Sequence, residues 1–317
     1  MGPTGSGKTS FINLASGSNL EVGKTVSSCT SIVAASRPFD LDGRRVTLLD
    51  TPGFDDTEKE TSEILQTIAV FLERQYKAGV KLHGVIYVHR ISDKKVGKSS
   101  KANFSLFRRL CGDKTLQNVI IMTNMWSEVT EDNGLERAEQ LLALDGFFKQ
   151  AVERHARMIH NKMDTIQSAH NVIRAILKNI PLALSIQTEL VDEQRKFSET
   201  SAGQEVDRRL TEQVARYHAQ LMEMEKQIEE ASVMNDEETM VEIADEAARL
   251  REDLERLKRE RENQSANYES LKNDFAAAEE RWKKEESRMK SEFAEKAWQS
   301  NLYMVGVAAM VLHPRLI

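Results

Sequence analysis

The first ten residues of the chain carry residue types that bind phosphate at a characteristic spacing. Gly2, Gly7, Lys8 and Thr9 fit the P-loop pattern G-x-x-x-x-G-K-[ST]. Glycines let backbone N–H groups turn towards a polyphosphate, a lysine neutralises its terminal phosphates, and a threonine hydroxyl binds Mg²⁺. Such a loop must lead into a helix, whose N-terminus favours anions. The residues predicted to hold a nucleotide here are Gly2, Pro3, Thr4, Gly5, Ser6, Gly7, Lys8, Thr9 and Ser10.

A second motif, Asp50-Thr51-Pro52-Gly53, directly follows an apolar run of strand type. In nucleotide switches an aspartate at this place reaches Mg²⁺ through water, and the glycine N–H meets the γ-phosphate. An ordinary strand-to-turn aspartate with Pro-Gly turn chemistry is the alternative. The P-loop earlier in the chain favours the switch, which makes Thr9 and Asp50 predicted metal ligands and Gly53 a predicted catalytic residue.

Strands and helices alternate along about the first 200 residues. The apolar runs at 84–88 and 118–123 indicate buried strands, the apolar spacing at 61–77 indicates a helix, and Asp42-Gly43 predicts a hairpin turn. Such alternation predicts an α/β fold, with helices on both faces of a mostly parallel sheet and ligands at the carboxyl ends of the strands. We therefore predict a P-loop NTPase G domain over residues 1–200.

Both ends of the chain depart from this pattern. A P-loop normally follows a buried central strand, and Met1 stands where that strand should end. We therefore expect an N-terminally truncated version of a longer protein. Residues 298–317 form an apolar tail, but the uncharged run Leu302–Leu312 is shorter than the roughly 18–20 residues that span a bilayer. The tail is either a weak membrane or partner contact or an unstructured terminus.

Composition limits the class of protein. The chain has 317 residues, of which 40% are hydrophobic and 30% charged, enough for one α/β domain and a second region. A net charge of −6 argues against a nucleic-acid partner. Two cysteines, Cys29 and Cys111, without a signal peptide predict reduced thiols and a cytoplasmic protein.

The last third of the chain has the pattern of a coiled coil, predicted over residues 205–297. Apolar residues step by threes and fours along Leu210–Ala231, Met240–Leu257 and Tyr268–Trp282, between charged residues of mixed sign. The register breaks at Met234–Thr239. The break is either a phase shift in one long rod or the turn of an antiparallel helical hairpin.

The motifs together resemble a known family. GPTGSGKT, Ser28-Cys29-Thr30, DTPGF and the box GVIYVHRISD at 84–93 are similar to a fungal branch of the immunity-associated (GIMAP/avirulence-induced) GTPases. These belong to the septin-like and chloroplast-import-receptor-like P-loop GTPases, and the resemblance covers about residues 1–200. It implies that Thr30 is the switch threonine that binds Mg²⁺ and the γ-phosphate, with Thr25 as the alternative.

The base-recognition site departs from the family pattern. GTPases use [NT]-K-x-D, in which the aspartate pairs with guanine; here Thr123 matches, Asn124 replaces the lysine and Trp126 replaces the aspartate. Glu128 is the remaining candidate carboxylate. Trp126 either stacks on a base without choosing it or belongs to the core. Guanine specificity is therefore implied by the resemblance and not by these residues.

Catalysis lacks one expected group. Phe54 follows DTPG, where Ras-like enzymes carry a water-orienting glutamine. Families with an apolar residue here often use a group from a second subunit, and His89 or Arg90 is the candidate. A surface pairing of Arg90 with Asp93 is the alternative.

The resemblance implies a GTP-binding protein that uses Mg²⁺, a slow GTPase acting as a nucleotide-dependent oligomerising switch. Self-association would use the G domain and the coiled coil. One alternative is a structural coiled-coil scaffold whose head binds nucleotide and barely hydrolyses it. Another is a P-loop ATP-binding protein.

Overall fold

A three-stranded parallel sheet forms the centre of the N-terminal domain in the computed structural model, which describes residues 1–22, 33–54, 61–234 and 236–300. The strands are β5 (Val85–Arg90), β6 (Val119–Asn124) and β7 (Arg157–His160), in that order across the sheet. Every residue of β6 is buried. A continuous apolar run suits a parallel strand that is covered on both faces.

Four shorter strands lie earlier in the described part of the chain. They are β1 (Ala34–Ala35), β2 (Phe39–Leu41), β3 (Arg44–Val46) and β4 (Leu49–Asp50), with β1 antiparallel to β4 and β2 antiparallel to β3. Asp42 and Gly43 both have positive φ, 55° and 74°, which suits a tight hairpin turn. The hairpin predicted at this dipeptide is confirmed.

The backbone of Met1 lies alongside β5. Its amino group donates to the carbonyl of Ile86 at 2.9 Å, and its carbonyl accepts from the N–H of Val88 at 2.9 Å. The P-loop therefore starts from a residue that is hydrogen-bonded to the sheet.

Seven helices surround the sheet within the described ranges. They are α1 (Lys8–Ser16), α2 (Thr61–Lys77), α3 (Lys98–Cys111), α4 (Glu131–Ala143), α5 (Lys149–Val152), α6 (Ile166–Leu177) and α7 (Ser185–Gln187). On one face, α1 and α6 pack on alternate residues of β5 and β6 such as Val88 and Ile120. On the other face, Tyr87 contacts Phe104, Phe107 and Phe148. The sheet is thus covered on both sides, and the predicted α/β P-loop fold is confirmed.

Two long helices follow, α8 (Ser201–Val233) and α9 (Glu237–Ser300). They run antiparallel, since Arg251 pairs with Glu225 at 2.9 Å and Arg261 with Asp207 at 2.6 Å. Buried apolar side chains join them, among them Leu221, Ala247 and Leu254. Of the two arrangements that the register break allowed, the structure has the helical hairpin.

The base of this hairpin contacts α2 and α3. Glu260 of α9 accepts a hydrogen bond from Ser62, and Ser105 of α3 donates to Glu205 of α8 at 3.1 Å. Residues 1–265 consequently form one compact unit. The rest of α9 belongs to a second unit, in which Lys272 Nζ lies 5.8 Å from the ring centre of Tyr268.

Within the described ranges, no helix combines the length and apolar composition that crossing a membrane requires. The predicted apolar run Leu302–Leu312 lies outside those ranges.

Candidate nucleotide-binding site

The P-loop connects Met1 to α1 through residues 2–7. Ser6 folds the loop on itself, because its hydroxyl donates to the carbonyl of Pro3 at 2.8 Å. Gly7 has φ 86°, and a Cβ there would lie 2.5 Å from Asn124 Nδ2, so no other residue fits without rearrangement. The first turn of α1 has no side-chain cap and no acidic residue. Its N–H groups are thus oriented for an anion, and Ser10 lies exposed in this turn.

Lys8 folds over the loop that it follows. Its Nζ donates to the carbonyls of Gly2 at 3.1 Å and Pro3 at 2.7 Å, and the residue is only 9% exposed. The ammonium group is therefore held within the predicted phosphate cradle. Phosphate oxygens, which carry full negative charge, are stronger acceptors for it than these two carbonyls.

Thr9 and Asp50, the two predicted metal ligands within the described ranges, lie in direct contact. Thr9 Oγ1 donates to Asp50 Oδ2 at 2.6 Å, although the motifs are far apart in the chain. Asp50 is 1% exposed, and its Oδ1 has no hydrogen-bond partner among the described residues. A buried carboxylate oxygen without a partner is costly. The arrangement fits Mg²⁺, which takes one or two protein ligands, water and substrate phosphates.

The predicted switch threonine, Thr30, and its alternative, Thr25, both lie outside the described residues. Their roles stay predictions. No group of three or more His, Cys, Asp or Glu side chains within the described ranges could hold a metal. A Mg²⁺ site completed by phosphate needs no such group.

The DTPG segment packs against the P-loop. A Cβ on Gly53 would lie 2.6 Å from the backbone nitrogen of Thr4, so the two loops approach as closely as their backbones allow. Phe54 is fully buried, and its N–H donates to the carbonyl of Gly2 at 3.4 Å. Gly53 is therefore adjacent to the phosphate loop, as a γ-phosphate contact requires.

Asn124, at the end of β6, ties the sheet to the P-loop. Its Nδ2 donates to the carbonyl of Ser6 at 3.1 Å, and its Oδ1 accepts from Asn161 Nδ2 at 3.1 Å. Asn161 in turn accepts from the hydroxyl of Ser168 at 2.7 Å. Both asparagines are over nine-tenths buried. Sequence reasoning missed Asn161; its only signal was its place directly after a short strand.

Trp126 belongs to the core, one of the two roles that the sequence allowed. It is 6% exposed, and its Nε1 donates to Thr123 Oγ1 at 3.1 Å. Its ring lies 4.9 Å from that of His160 and packs against Gly134. Neither Trp126 nor the fully buried Thr123 offers an open surface to a base. The Glu128 side chain is exposed.

Met125 is a second residue that the sequence did not indicate. It has φ 61°, a left-handed conformation that non-glycine residues seldom adopt. The Cβ position of Gly7 lies 3.8 Å from Met125 Cε, which places this side chain beside the P-loop. Backbone strain of this kind tends to occur at ligand-binding sites.

His89 and Arg90, the two predicted catalytic candidates on β5, have different environments. His89 is 1% exposed, lies between Phe147 and Phe148, and burial lowers its pKa to about 4. A side chain so enclosed cannot reach a second subunit. Arg90 pairs with Asp93 at 3.1 Å, and its guanidinium lies 3.5 Å from the Cβ position of Gly5. Of the two, only Arg90 adjoins the P-loop.

Comparisons with known proteins found one family and several solved structures that are similar to part of this chain. Residues 1–125 match the family described as 50S ribosome-binding GTPase. Three solved structures of Toc33 from Arabidopsis thaliana are similar. The complex with Mg²⁺ and GMPPNP has 14% identity and a TM-score of 0.45, covering 58% of this chain and 85% of that one. The complex with GDP and Mg²⁺ has 14% identity and a TM-score of 0.44, and it covers the same shares of the two chains.

The third, a dimerization-deficient mutant of Toc33, gives 15% identity and a TM-score of 0.43, covering 56% of this chain and 80% of that one. No curated protein matched the chain. The family match covers the part of the chain that contains the P-loop, the DTPG segment and strands β5 and β6.

Proposed function

We propose that this chain binds GTP with Mg²⁺ and acts as a slow GTPase and nucleotide-dependent oligomerising switch. The observation that carries the proposal is the hydrogen bond from Thr9 to the buried Asp50 beside the P-loop, with one carboxylate oxygen of Asp50 lacking a partner within the described ranges. The GTPase family match over residues 1–125 supports guanine as the base. The neighbouring Toc33 structures hold GDP or GMPPNP with Mg²⁺.

Each element of the site has one task in binding. Lys8 and the N–H groups at the start of α1 bind the phosphates, and Gly53 offers its N–H to the terminal one. Thr9 and Asp50 hold Mg²⁺, which when bound offsets negative charge on the phosphates. Asn124 keeps the P-loop at a fixed distance from β6.

Slow turnover follows from Phe54. This residue is fully buried and apolar, so it cannot orient an attacking water. Arg90 is the described cation beside Gly5, and we assign to it the stabilisation of charge on the transferring phosphoryl group. Its contact with the P-loop of the same chain favours action in cis, where the sequence suggested action in trans.

Arg90→Ala tests this assignment. Removing a charge that acts mainly in the transition state should lower single-turnover GTP hydrolysis by more than about tenfold while GTP affinity stays within about twofold. Lys94→Ala, an exposed lysine in the following turn, is the matched control and should hydrolyse GTP at the wild-type rate. An unchanged rate for Arg90→Ala would remove this residue from the mechanism.

The test of the function itself is calorimetric titration of GTP and of ATP, each with Mg²⁺, into the full chain and Lys8→Ala. The expected result is a strong preference for GTP over ATP in the wild type and loss of nucleotide binding in Lys8→Ala. Equal affinity for the two nucleotides would contradict the GTPase proposal and favour the ATP-binding alternative. Trp126 occupies the place of the aspartate that pairs with guanine, and the nearby Glu128 is exposed. The ATP-binding alternative therefore stays open.

A second candidate is a structural scaffold with a nucleotide-binding head. The observation that favours it is the hairpin of α8 and α9, whose buried seam joins the two helices and whose base contacts the N-terminal domain. Nucleotide that co-purifies with the chain and is not hydrolysed over hours would support the scaffold over the switch.

A further inference from the structure

A second cavity lies away from the P-loop, between α3 and the base of the helical hairpin. Its volume is about 780 Å³, within the usual range for sites that hold small molecules. One wall is the α3 face that carries Lys98, Ser99 and Asn103. The other lining residues come from α8, from the part of α9 within the first unit and from Ser62 at the start of α2.

Among the charged residues that line this cavity, basic side chains outnumber acidic ones. Five of its side chains are cationic and two are acidic: Lys98, Arg208, Arg209, Arg216 and Arg256 against Glu212 and Glu260. Glu205, behind the wall, binds Arg208 and Arg209 and offsets part of this charge. Lys98 and Arg216 make no ion pair with any described residue. An excess of positive charge thus remains on the cavity surface.

Two donors in the wall are left without acceptors. Asn103 is 4% exposed, and its Nδ2 has no hydrogen-bond partner among the described residues. Arg209 uses its Nε on Glu205, while its Nη2 has no partner within the same ranges. A buried amide that makes no hydrogen bond costs about 1–3 kcal/mol. A ligand with acceptor oxygens in the cavity would remove that cost.

The start of α3 adds a third feature. Gly97 is its N-cap and provides no side-chain hydrogen bond, and the first turn contains no acidic residue. The N–H groups of this turn therefore lack a side-chain acceptor and carry the positive end of the helix dipole, beside the lining residues Lys98 and Ser99. Anions bind at such helix ends, especially beside arginine side chains that grip phosphate with two nitrogens.

From these observations we propose that the cavity between α3 and the hairpin binds a ligand with several clustered phosphate groups. One inorganic phosphate would leave most of 780 Å³ empty. A polyphosphorylated small molecule or a phosphoinositide headgroup offers the same chemistry. The site is separate from the P-loop and does not depend on the proposed nucleotide.

The test uses the full chain, in wild-type form and with Lys8→Ala to disable the P-loop. Inositol hexakisphosphate is titrated calorimetrically, and vesicles of phosphatidylcholine with or without phosphatidylinositol 4,5-bisphosphate are used for co-sedimentation. Wild type and Lys8→Ala should bind the soluble probe equally. Sedimentation only with the phosphoinositide would identify a lipid source, and none with either vesicle would identify a soluble one.

Three variants locate the site. Lys98→Gln and Arg216→Gln each remove one exposed, unpaired cation and should weaken binding about tenfold. Asn103→Leu removes the unpartnered donor without changing charge and should weaken binding about fivefold or more. Arg249→Gln, an exposed arginine of α9 outside the cavity, is the control and should bind as wild type does.

Affinity lost in Lys8→Ala would mean that the P-loop had taken the probe, and would overturn the proposal. Two other results would overturn it. One is that the wild type does not bind the probe, and the other is that Lys98→Gln and Arg216→Gln bind it as tightly as Arg249→Gln does. Because both substitutions are at exposed positions, misfolding would not account for a loss of binding.

Discussion

Asp50 shows most directly how a single residue links this fold to its chemistry. Its carboxylate is buried, one oxygen accepts from Thr9, and the other has no partner among the described residues. Burying an ionised group in this way destabilises a protein unless a cation compensates it. We infer that the site is arranged for bound Mg²⁺ and that the folded protein is less stable without it.

Asp50→Asn should therefore separate stability from binding. The amide keeps the shape of the side chain and removes the charge of a buried carboxylate, so nucleotide-free protein should unfold at an equal or higher temperature than wild type. Nucleotide affinity should fall about tenfold or more and should no longer change when EDTA removes Mg²⁺. Thermal unfolding and calorimetry, each with and without EDTA, measure both effects.

Asp93→Asn, a partly exposed carboxylate near β5, is the control for Asp50→Asn and should keep the wild-type response to EDTA. If nucleotide binding by Asp50→Asn remained as Mg²⁺-dependent as in wild type, Asp50 would not be a metal ligand.

His89 predicts a specific dependence of stability on pH. Burial holds its pKa at about 4 in the folded chain, against an ordinary value of 6.5. The unfolded chain therefore takes up a proton first as pH falls, and stability is lost between about pH 6.5 and pH 4. Between pH 7 and pH 5 the loss from this group is about 2 kcal/mol.

His89→Leu removes this proton uptake while keeping an apolar contact with Phe147 and Phe148. Urea unfolding measures the free energy of unfolding at pH 7 and at pH 5. Its decrease between the two should be about 2 kcal/mol smaller for the variant than for wild type. His83→Leu, another histidine of the same domain, is the control and should lose stability as wild type does. Equal losses for wild type and His89→Leu would mean that His89 is protonated in the folded chain at pH 5.

Among the elements, those that carry local motifs were predictable and those fixed by tertiary contacts were not. Sequence predicts the P-loop, the DTPG turn and the Asp42-Gly43 hairpin because their residue types favour specific loop and turn conformations. α2 was predicted with its observed bounds, Thr61–Lys77, because its apolar face repeats at helical spacing.

The role of Trp126 depends on contacts that sequence spacing does not show. Its ring packs on Gly134 and beside His160, residues from two other elements, and this burial decides between core and base stacking. The link from Asn124 through Asn161 to Ser168 likewise joins three segments. Periodicity along one segment cannot indicate such long-range hydrogen bonds.

The hairpin resolves what the register break left open. Leu221 of α8 and Ala247 and Leu254 of α9 are buried together, so this part of the seam is filled within one chain. Leu254 is 4% exposed. Truncating it should create a cavity between the two helices.

Leu254→Ala should destabilise the hairpin by about 2–4 kcal/mol. The expected signal is an earlier loss of helical circular dichroism on heating, while nucleotide affinity stays at the wild-type value. Val241→Ala, at a 62% exposed position of the same helix, should change stability by less than about 0.5 kcal/mol. Equal melting of the two variants would show that the seam contributes little.

For the molecule as a whole, the filled seam affects how copies could associate. Within the first unit, which ends at residue 265, a coiled coil between chains would have to replace the contacts that Leu221, Ala247 and Leu254 make with one another. The face around the P-loop, where Arg90 is about one-third exposed, requires no such rearrangement. We therefore place the proposed self-association on the nucleotide side of the N-terminal domain.

Sedimentation velocity of the full chain tests this placement. With GMPPNP and Mg²⁺ the chain should form a dimer at micromolar concentration, and with GDP it should sediment mainly as a monomer, because in the proposed switch the terminal phosphate stabilises the conformation that associates. Lys8→Ala should stay monomeric with either nucleotide. Leu254→Ala, which weakens only the hairpin, should dimerise as wild type does. Dimers that form equally with GDP, or that Leu254→Ala abolishes, would place the association on the helices and not on the nucleotide face.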